Sequence, residues 1–170
     1  MLFNFKFFKL MKQIVLDKTD LQLLAQLQRD AGLSNQALAE SVSTSAPTCL
    51  RRVKRLQDAG LIERQIAILN PEKMAATLGF GLTAIIEITL DRQDTQALDQ
   101  FEARVAHDPA VQQCYRVSPG PDFVLVVHAL NMPAYQATTQ RLFTTDANVR
   151  NIKAFFSIKR SKFGAELALP

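Results

Sequence analysis

The order of periodic patterns in the second half of the chain constrains its fold most. Strand-like apolar and β-branched runs alternate there with amphipathic helical patterns. The predicted elements are, in chain order, a strand at 82–90, a helix at 94–106, strands at 111–118 and 122–130, a helix at 132–143 and a strand within 149–159. A β-α-β-β-α-β order is typical of a ferredoxin-like domain. We therefore predict an α+β chain in which this domain follows a different N-terminal module.

A sheet of this kind carries both helices on one face and leaves the other face bare. A bare apolar face usually pairs with a second copy of the chain. We therefore expect a homodimer formed through the second module. The fold alone indicates no function, because ferredoxin-like domains have many.

The first 70 residues are helical in pattern. Asp17, Ser34 and Ser45 are suitable N-caps for three helices, and Pro47 fits the first turn of the third. The stretch 61–69 alternates as expected for a two-stranded wing. These features predict a winged helix-turn-helix.

The third helix of this module has two distinct faces. At helical spacing, a core-facing stripe is expected from Cys49, Leu50, Val53 and Leu56. The opposite, exposed face is expected to consist of Thr48, Arg51, Arg52 and Arg55. Arginines along one side of such a helix suit the major groove of DNA, and its N-terminal amides suit phosphates.

The charge of the chain is distributed unevenly. Residues 1–70 contain ten lysines and arginines against six acids, whereas residues 71–170 contain ten of each, so the whole net charge of +4 belongs to the first part. This distribution indicates a basic module with a polyanionic partner, joined to a neutral assembly module.

Enzymatic chemistry has little support in the sequence. Two cysteines and two histidines form no nucleophile–base motif, and Cys49 lies on the apolar stripe as a packing thiol would. Asp91, Asp94 and Asp99 are better explained by helix capping and solvation than by a metal site. We predict a cytoplasmic protein that is not an enzyme and has no metal or cofactor.

The predicted boundaries follow from these patterns. Residues 1–15 are predicted to be an N-terminal extension, in which either Met11 is the natural start or the first ten residues are a disordered arm. The remaining segments are a winged helix-turn-helix at 16–70, a linker at 71–81, a ferredoxin-like effector-binding and oligomerisation domain at 82–162 and a tail at 163–170.

Several motifs together carry a resemblance to a known family. The segments are L-D-K-T-D at 16–20, L-S-N-Q-A-L-A-E at 33–40, S-A-P-T-C-L-R-R-V-K-R-L at 45–56, G-L-I at 60–62, A-I-L-N-P at 67–71 and I-E-I-T-L at 86–90. From residue 16 to about 162 the chain resembles the leucine-responsive regulator/asparagine-regulator (Lrp/AsnC) family of transcription factors. The stretch at 45–56 followed by Gly60 is the most specific part.

The resemblance implies a helix-turn-helix at 35–54 that binds double-stranded DNA. The DNA-binding residues expected from the resemblance and the helix pattern are Ser34, Asn35, Ser45, Ala46, Pro47, Thr48, Arg51, Arg52, Lys54, Arg55 and Arg64. One departure from the family is Ser43-Thr44, where a Gly-Leu pair is common.

The resemblance also implies a ligand and an assembly. Family members sense an amino acid or a related small molecule between dimers, near a Gly-x-x-Asp loop, and often form octamers. Here Asp122 matches the aspartate, but Pro119 replaces the glycine. The effector-binding residues it suggests are Ser118, Pro119, Gly120, Asp122, Met132, Phe155 and Ser157.

These observations predict a homo-oligomeric, sequence-specific transcriptional regulator that responds to an amino-acid-like effector. One alternative is an architectural nucleoid protein that binds DNA with little sequence preference. Another is a small-molecule-binding regulatory module, such as an enzyme's regulatory subunit, in which the helix-turn-helix is only a scaffold.

Overall fold

The computed structural model describes residues 14–79 and 81–170, which form two compact units. The first unit contains the described residues up to 68 together with 162–170, and the second contains 69–161. The predicted N-terminal extension and the two candidate starts, Met1 and Met11, lie outside the described residues except for positions 14 and 15. The last nine residues of the chain thus belong to the N-terminal unit.

Three helices build the first unit: α1 (Lys18–Arg29), α2 (Asn35–Ser41) and α3 (Ala46–Asp58). Asp17 begins α1 with a capping box, in which the amide of Asp20 donates to Asp17 Oδ1 at 2.9 Å and the amide of Asp17 donates to Asp20 Oδ2 at 3.1 Å. Ser34 caps α2 by accepting from the amide of Ala37. Each N-cap falls at the residue that the sequence predicted.

The core of the first unit is small and apolar. It consists of Leu23, Leu38, Ala39, Val42, Cys49 and Leu56. Cys49 is fully buried, and burial raises the pKa of its thiol, as expected for a packing residue. The predicted stripe on α3 is wrong at Leu50, whose side chain is 61% exposed.

The predicted two-stranded wing is absent from the described residues. Residues 61–69 form neither a helix nor a strand, and nearly all of them are exposed. Alternation favours an extended backbone, but a hairpin also needs a turn that reverses the chain, and 61–69 contain no glycine, proline or asparagine.

The second unit begins with α4 (Pro71–Leu78) and continues in the predicted order. Its further elements are β1 (Leu82–Leu90), α5 (Thr95–Ala106), β2 (Val111–Arg116), β3 (Phe123–Ala129), α6 (Met132–Thr139), a π-helical turn (Gln140–Thr144) and β4 (Val149–Phe156). The four strands form an antiparallel sheet in the order β2-β3-β1-β4, as in a ferredoxin-like fold.

The two faces of the sheet have different environments. The face that packs against the helices contributes Ile86, Ile88 and Leu90 from β1 and Phe123, Leu125 and Val127 from β3, all fully buried. On the other face, the register aligns Ile85 with Val126 and Phe155, and Glu87 with Val124 and Lys153. Ile85 and Phe155 are 43% and 44% exposed. We call this second side the open face.

Candidate DNA-binding surface and effector site

The exposed face of α3 is rotated by about one residue from the predicted one. Pro47, Leu50, Arg51 and Lys54 are all exposed, and their spacing of three, four and seven positions places them along one side of the helix. We call these four residues the outward face of α3. Its cations are Arg51 and Lys54, one turn apart.

Arg52 and Arg55, which the sequence placed on the exposed face, turn instead to the start of α1. One nitrogen of Arg52, Nη1, donates to Asp17 Oδ2 at 2.7 Å and to Asp20 Oδ1 at 2.9 Å. Arg55 donates through Nη2 to Asp20 Oδ2. Both arginines therefore join α3 to α1. The Arg52 side chain is only 23% exposed, whereas that of Arg55 is 42% exposed even while it is paired with Asp20.

The carboxylate of Asp20 is fully buried, with 0% of its side chain exposed. Burial alone would raise its pKa, but the backbone N–H of Asp17 and the guanidinium groups of Arg55 and Arg52 outweigh burial and lower the pKa. The pKa of Asp17 is also lowered, first by the backbone N–H of Asp20 and then by Arg52. Both groups are thus ionised at neutral pH and hold the two arginines by charge.

The same carboxylates serve two purposes, because they also form the capping box of α1. From the sequence, Asp17 was predicted only as an N-cap, and Asp20 stood only within the L-D-K-T-D motif. A signal was nevertheless present: a pair of acids three residues apart and a pair of arginines three residues apart, on helices that the helix-turn-helix packs together. The Nε of Arg52 is buried without a partner among the described residues.

The N-terminus of α3 is held from α2. The side-chain amide of Asn35 donates to the carbonyl oxygen of Ala46 at 2.8 Å. Ser45 does not cap the helix through its side chain; its hydroxyl donates to Thr48 Oγ1 at 2.8 Å. Ser34, Asn35, Ser45 and Thr48 are therefore engaged with their own unit. Arg64 lies beyond α3 with a side chain that is 72% exposed.

The predicted effector loop connects β2 and β3. Asp122 lies at its end, where one carboxylate oxygen, Oδ2, accepts from the amide of Leu90 at 2.7 Å and from the side chain of Gln93 at 3.2 Å. Its backbone amide donates to Ile88 O at 2.8 Å. Ser118, Pro119 and Gly120 are exposed in the same loop, and Gly120 has a φ of +125°, which favours glycine. Asp122 thus joins the loop to the end of β1.

The remaining effector candidates lie at the opposite end of the sheet. The amide of Ser157 donates to Thr83 O, five residues of β1 away from the Ile88 carbonyl that Asp122 contacts. That separation is about 17 Å along a strand. Met132 follows β3 at the same far end, and Phe155 lies on the open face. Within one chain the structure does not bring Met132, Phe155 or Ser157 together with Asp122.

The other polar residues considered in the sequence have structural roles. Asp94 caps α5 by accepting from the amide of Ala97 at 3.0 Å, and this bond lowers its pKa. His107 ends α5, with Nδ1 2.6 Å from Ala103 O. His128 lies on the open face, 3.3 Å from Thr83 Oγ1. Within the described ranges, no group of three His, Cys, Asp or Glu side chains is arranged to hold a metal, and none of the helices is long and apolar enough to cross a membrane.

Comparisons with known proteins agree with both units. A winged helix-turn-helix DNA-binding model matches residues 16–63, and the Lrp/AsnC ligand binding domain model matches residues 83–167. The leucine-responsive regulatory protein of Rhizobium meliloti is 34% identical over 157 residues, which cover 92% of this chain and 98% of that protein. An HTH-type transcriptional regulator of Haemophilus influenzae is 33% identical over 154 residues, covering 91% of this chain and 89% of that protein.

A solved structure is similar over nearly the whole chain. It is a transcriptional regulator from Neisseria meningitidis in complex with L-Met, with a TM-score of 0.78 and 31% sequence identity. The similarity covers 91% of this chain and 97% of that one.

Proposed function

The chain belongs to the Lrp/AsnC family of transcriptional regulators, and from this premise we propose how it contacts DNA, effector and its own copies. The outward face of α3 enters the major groove, where Arg51 and Lys54 contact bases and phosphates. Arg52 and Arg55 act indirectly, because they hold α3 against α1. This assignment of a direct role to Arg51 and an indirect one to Arg52 and Arg55 rests on one observation. The buried Asp20 carboxylate is paired with both Arg52 and Arg55.

Electrostatics supports this assignment of roles. Releasing Arg52 or Arg55 to a phosphate would leave the buried Asp20 carboxylate with fewer donors, which costs free energy. Arg51 has no such internal partner among the described residues and is exposed, so it reaches DNA without that cost. Arg64, beyond the helix, adds a backbone phosphate contact.

The experiment begins by letting the unaltered protein select duplexes from a random pool. Binding of a selected duplex is then measured by fluorescence anisotropy. Arg51→Ala is expected to weaken binding by roughly 5- to 150-fold, the range for a base-reading side chain. Arg150→Ala removes the same charge from an exposed position on β4 and should leave the affinity unchanged.

The results separate the alternatives. Selection of no preferred sequence, with a steep salt dependence, would support an architectural nucleoid protein. Absence of any binding would support a small-molecule-binding module. If Arg51→Ala and Arg150→Ala change the affinity for the selected duplex equally, the assignment of the outward face to DNA binding is refuted.

We further propose that an amino acid binds at the β2–β3 loop. Support comes from the ligand-binding family model, from the L-Met complex of the Neisseria meningitidis regulator and from Asp122, whose carboxylate suits an α-ammonium group. A thermal-shift screen of the twenty amino acids, including L-Met, tests this proposal. A shift that Asp122→Asn abolishes and Asp91→Asn preserves is expected; no shift with any amino acid would refute it.

A second copy of the chain is the proposed occupant of the open face. The face has an apolar centre at Ile85, Val126 and Phe155, and it carries Lys153 beside Glu87, with Nζ and Oε2 3.9 Å apart. Adjacent opposite charges allow one face to complement itself across a two-fold axis. Light scattering should show that Ile85→Glu lowers the oligomer mass, whereas Ile158→Glu, at a fully exposed residue, does not. An unchanged mass for Ile85→Glu would refute this interface.

A further inference from the structure

Residues 166–169, within the last nine residues of the chain, lie on α1. The side-chain amide of Gln28, in the final turns of α1, forms two hydrogen bonds with the backbone of Leu167. Its Oε1 accepts from Leu167 N at 2.6 Å, and its Nε2 donates to Leu167 O at 3.2 Å. The carboxamide thus pairs with the tail as a peptide group of a neighbouring strand would. Such two-bond pairing fixes the position of the tail along the helix.

Neighbouring residues extend the contact. Arg29 Nε lies 3.7 Å from Glu166 Oε2, and Ala25 lines the same shallow groove on α1 as Leu169. The two charged side chains are 64% and 57% exposed, so their attraction is weak. A contact made of exposed hydrogen bonds and one exposed ion pair can open and close readily.

The tail follows the ligand-binding unit in the chain but belongs to the DNA-binding unit. β4 ends at Phe156, and residues up to 161 still belong to the ligand-binding unit, whereas residues 162–170 belong to the DNA-binding unit. The two units are therefore connected by the chain twice, once at 68–69 and once at 161–162. The second connection persists only while the tail stays on α1.

We propose that residues 162–170 are a C-terminal latch, whose docking on the Ala25–Gln28–Arg29 surface of α1 restrains the DNA-binding unit. The latch does not act by covering DNA-binding residues, because no residue of the outward face of α3 lines the groove. It acts on α1, whose other end holds α3 through Asp17 and Asp20. The restraint on DNA binding rests on the proposed function; the docking itself does not.

Restraint changes affinity through effective concentration. When a dimer binds two half-sites, the second binding event is intramolecular, and its strength depends on how freely the second DNA-binding unit moves. A closed latch limits that freedom and strengthens binding to two half-sites. Binding to a single half-site involves no such step and is unaffected by the latch.

The docking is tested on the full chain by hydrogen exchange at the Leu167 amide. We expect exchange at least about fivefold slower than in a free peptide of residues 162–170, because the amide is hydrogen-bonded. Gln28→Ala should abolish the protection. Gln22→Ala is the matched control, since it removes an exposed glutamine from the same helix outside the groove. Free-peptide exchange in the unaltered chain, or protection that survives Gln28→Ala, would overturn the latch.

The restraint is tested with duplexes carrying one or two copies of a selected half-site. Gln28→Ala is expected to weaken binding to the two-site duplex by about 3- to 10-fold and to leave the one-site affinity unchanged. Equal affinities of the variant and the unaltered chain for both duplexes would overturn the restraint. If the unaltered chain binds no DNA, the proposed function fails, and the exchange result still decides whether the tail docks.

Discussion

Both units of the molecule hold an arginine between two carboxylates, but in different surroundings. In the DNA-binding unit, Arg52 bonds Asp17 and Asp20 across more than 30 positions of sequence. In the ligand-binding unit, Arg116 bonds Asp99 at 2.7 Å and Glu102, on the neighbouring α5. The Asp20 side chain is 0% exposed, whereas those of Asp99 and Glu102 are 63% and 46% exposed.

The difference reflects how each unit is stabilised. The ligand-binding unit has an apolar core in which Phe101 packs against Phe123 and Phe143, and the ion pairs of Arg116 lie at its surface. The helical unit has a smaller core, and the buried carboxylate of Asp20 fixes α3 on α1 through Arg52 and Arg55. A similar arrangement of charges thus orients a helix in one unit and adds little in the other.

The largest expected effect is that of Asp20→Ala. Removing this carboxylate leaves Arg52 and Arg55 without their shared acceptor and should destabilise the DNA-binding unit by about 3 kcal/mol. Native-state hydrogen exchange of the α1 and α3 amides in increasing urea measures the loss. Asp58→Ala, which removes an exposed acid from the end of α3, is the control and should change stability by less than about 0.5 kcal/mol. Similar losses of stability for both variants would show that the burial of Asp20 adds nothing beyond an exposed carboxylate.

Acid is expected to weaken the network of Asp17 and Asp20. The pKa values of Asp17 and Asp20 lie below their ordinary value of 3.8 in the folded protein, so the unfolded chain takes up protons first as the pH falls. Their stabilisation is complete above about pH 4 and is lost as the pH falls through the lowered pKa values. The free energy of unfolding is measured with urea between pH 5 and pH 2. It should fall less steeply with decreasing pH for Asp20→Asn than for the unaltered chain. Asp99→Asn is the exposed control, and an identical slope for Asp20→Asn would contradict the assignment.

The smallest expected effect is that of Arg116→Ala. Its two ion pairs are exposed, and its guanidinium lies 5.6 Å from the centroid of the Phe123 ring, so the loss should not exceed about 1 kcal/mol. The urea midpoint of the ligand-binding unit measures it. A loss of stability as large as that caused by Asp20→Ala would show that the exposed ion pairs of Arg116 stabilise their unit as strongly as the buried Asp20 stabilises the other.

Much of the fold follows from local sequence signals. The N-caps Asp17, Ser34 and Asp94 mark helix starts, because each side chain accepts from an amide only three positions away. The four strands and their order also follow from their patterns. The alternation at 61–69 predicted a wing, but these residues form no strand, because alternation indicates an extended backbone and does not supply the partner strand that a sheet requires.

The candidate sites were predictable only in part. Helical spacing showed that Arg52 and Arg55 share a face, but not that the face meets Asp20, which depends on how α1 packs. The family motif suggested Asp122 and Ser157 together, whereas within one chain the two lie at opposite ends of β1. Spacing along the chain defines neighbours within an element; contacts between elements require the fold.

The division of α3 into an outward face and an anchored face has a consequence for how operator preference changes. If the outward face binds DNA as proposed, substitutions at Pro47, Leu50, Arg51 or Lys54 alter the surface offered to DNA while the helix stays in place. Arg52 and Arg55 must remain matched to Asp17 and Asp20, on another helix more than thirty residues away. A recognition helix transplanted between relatives therefore keeps its orientation only where the recipient's first helix presents the matching carboxylates.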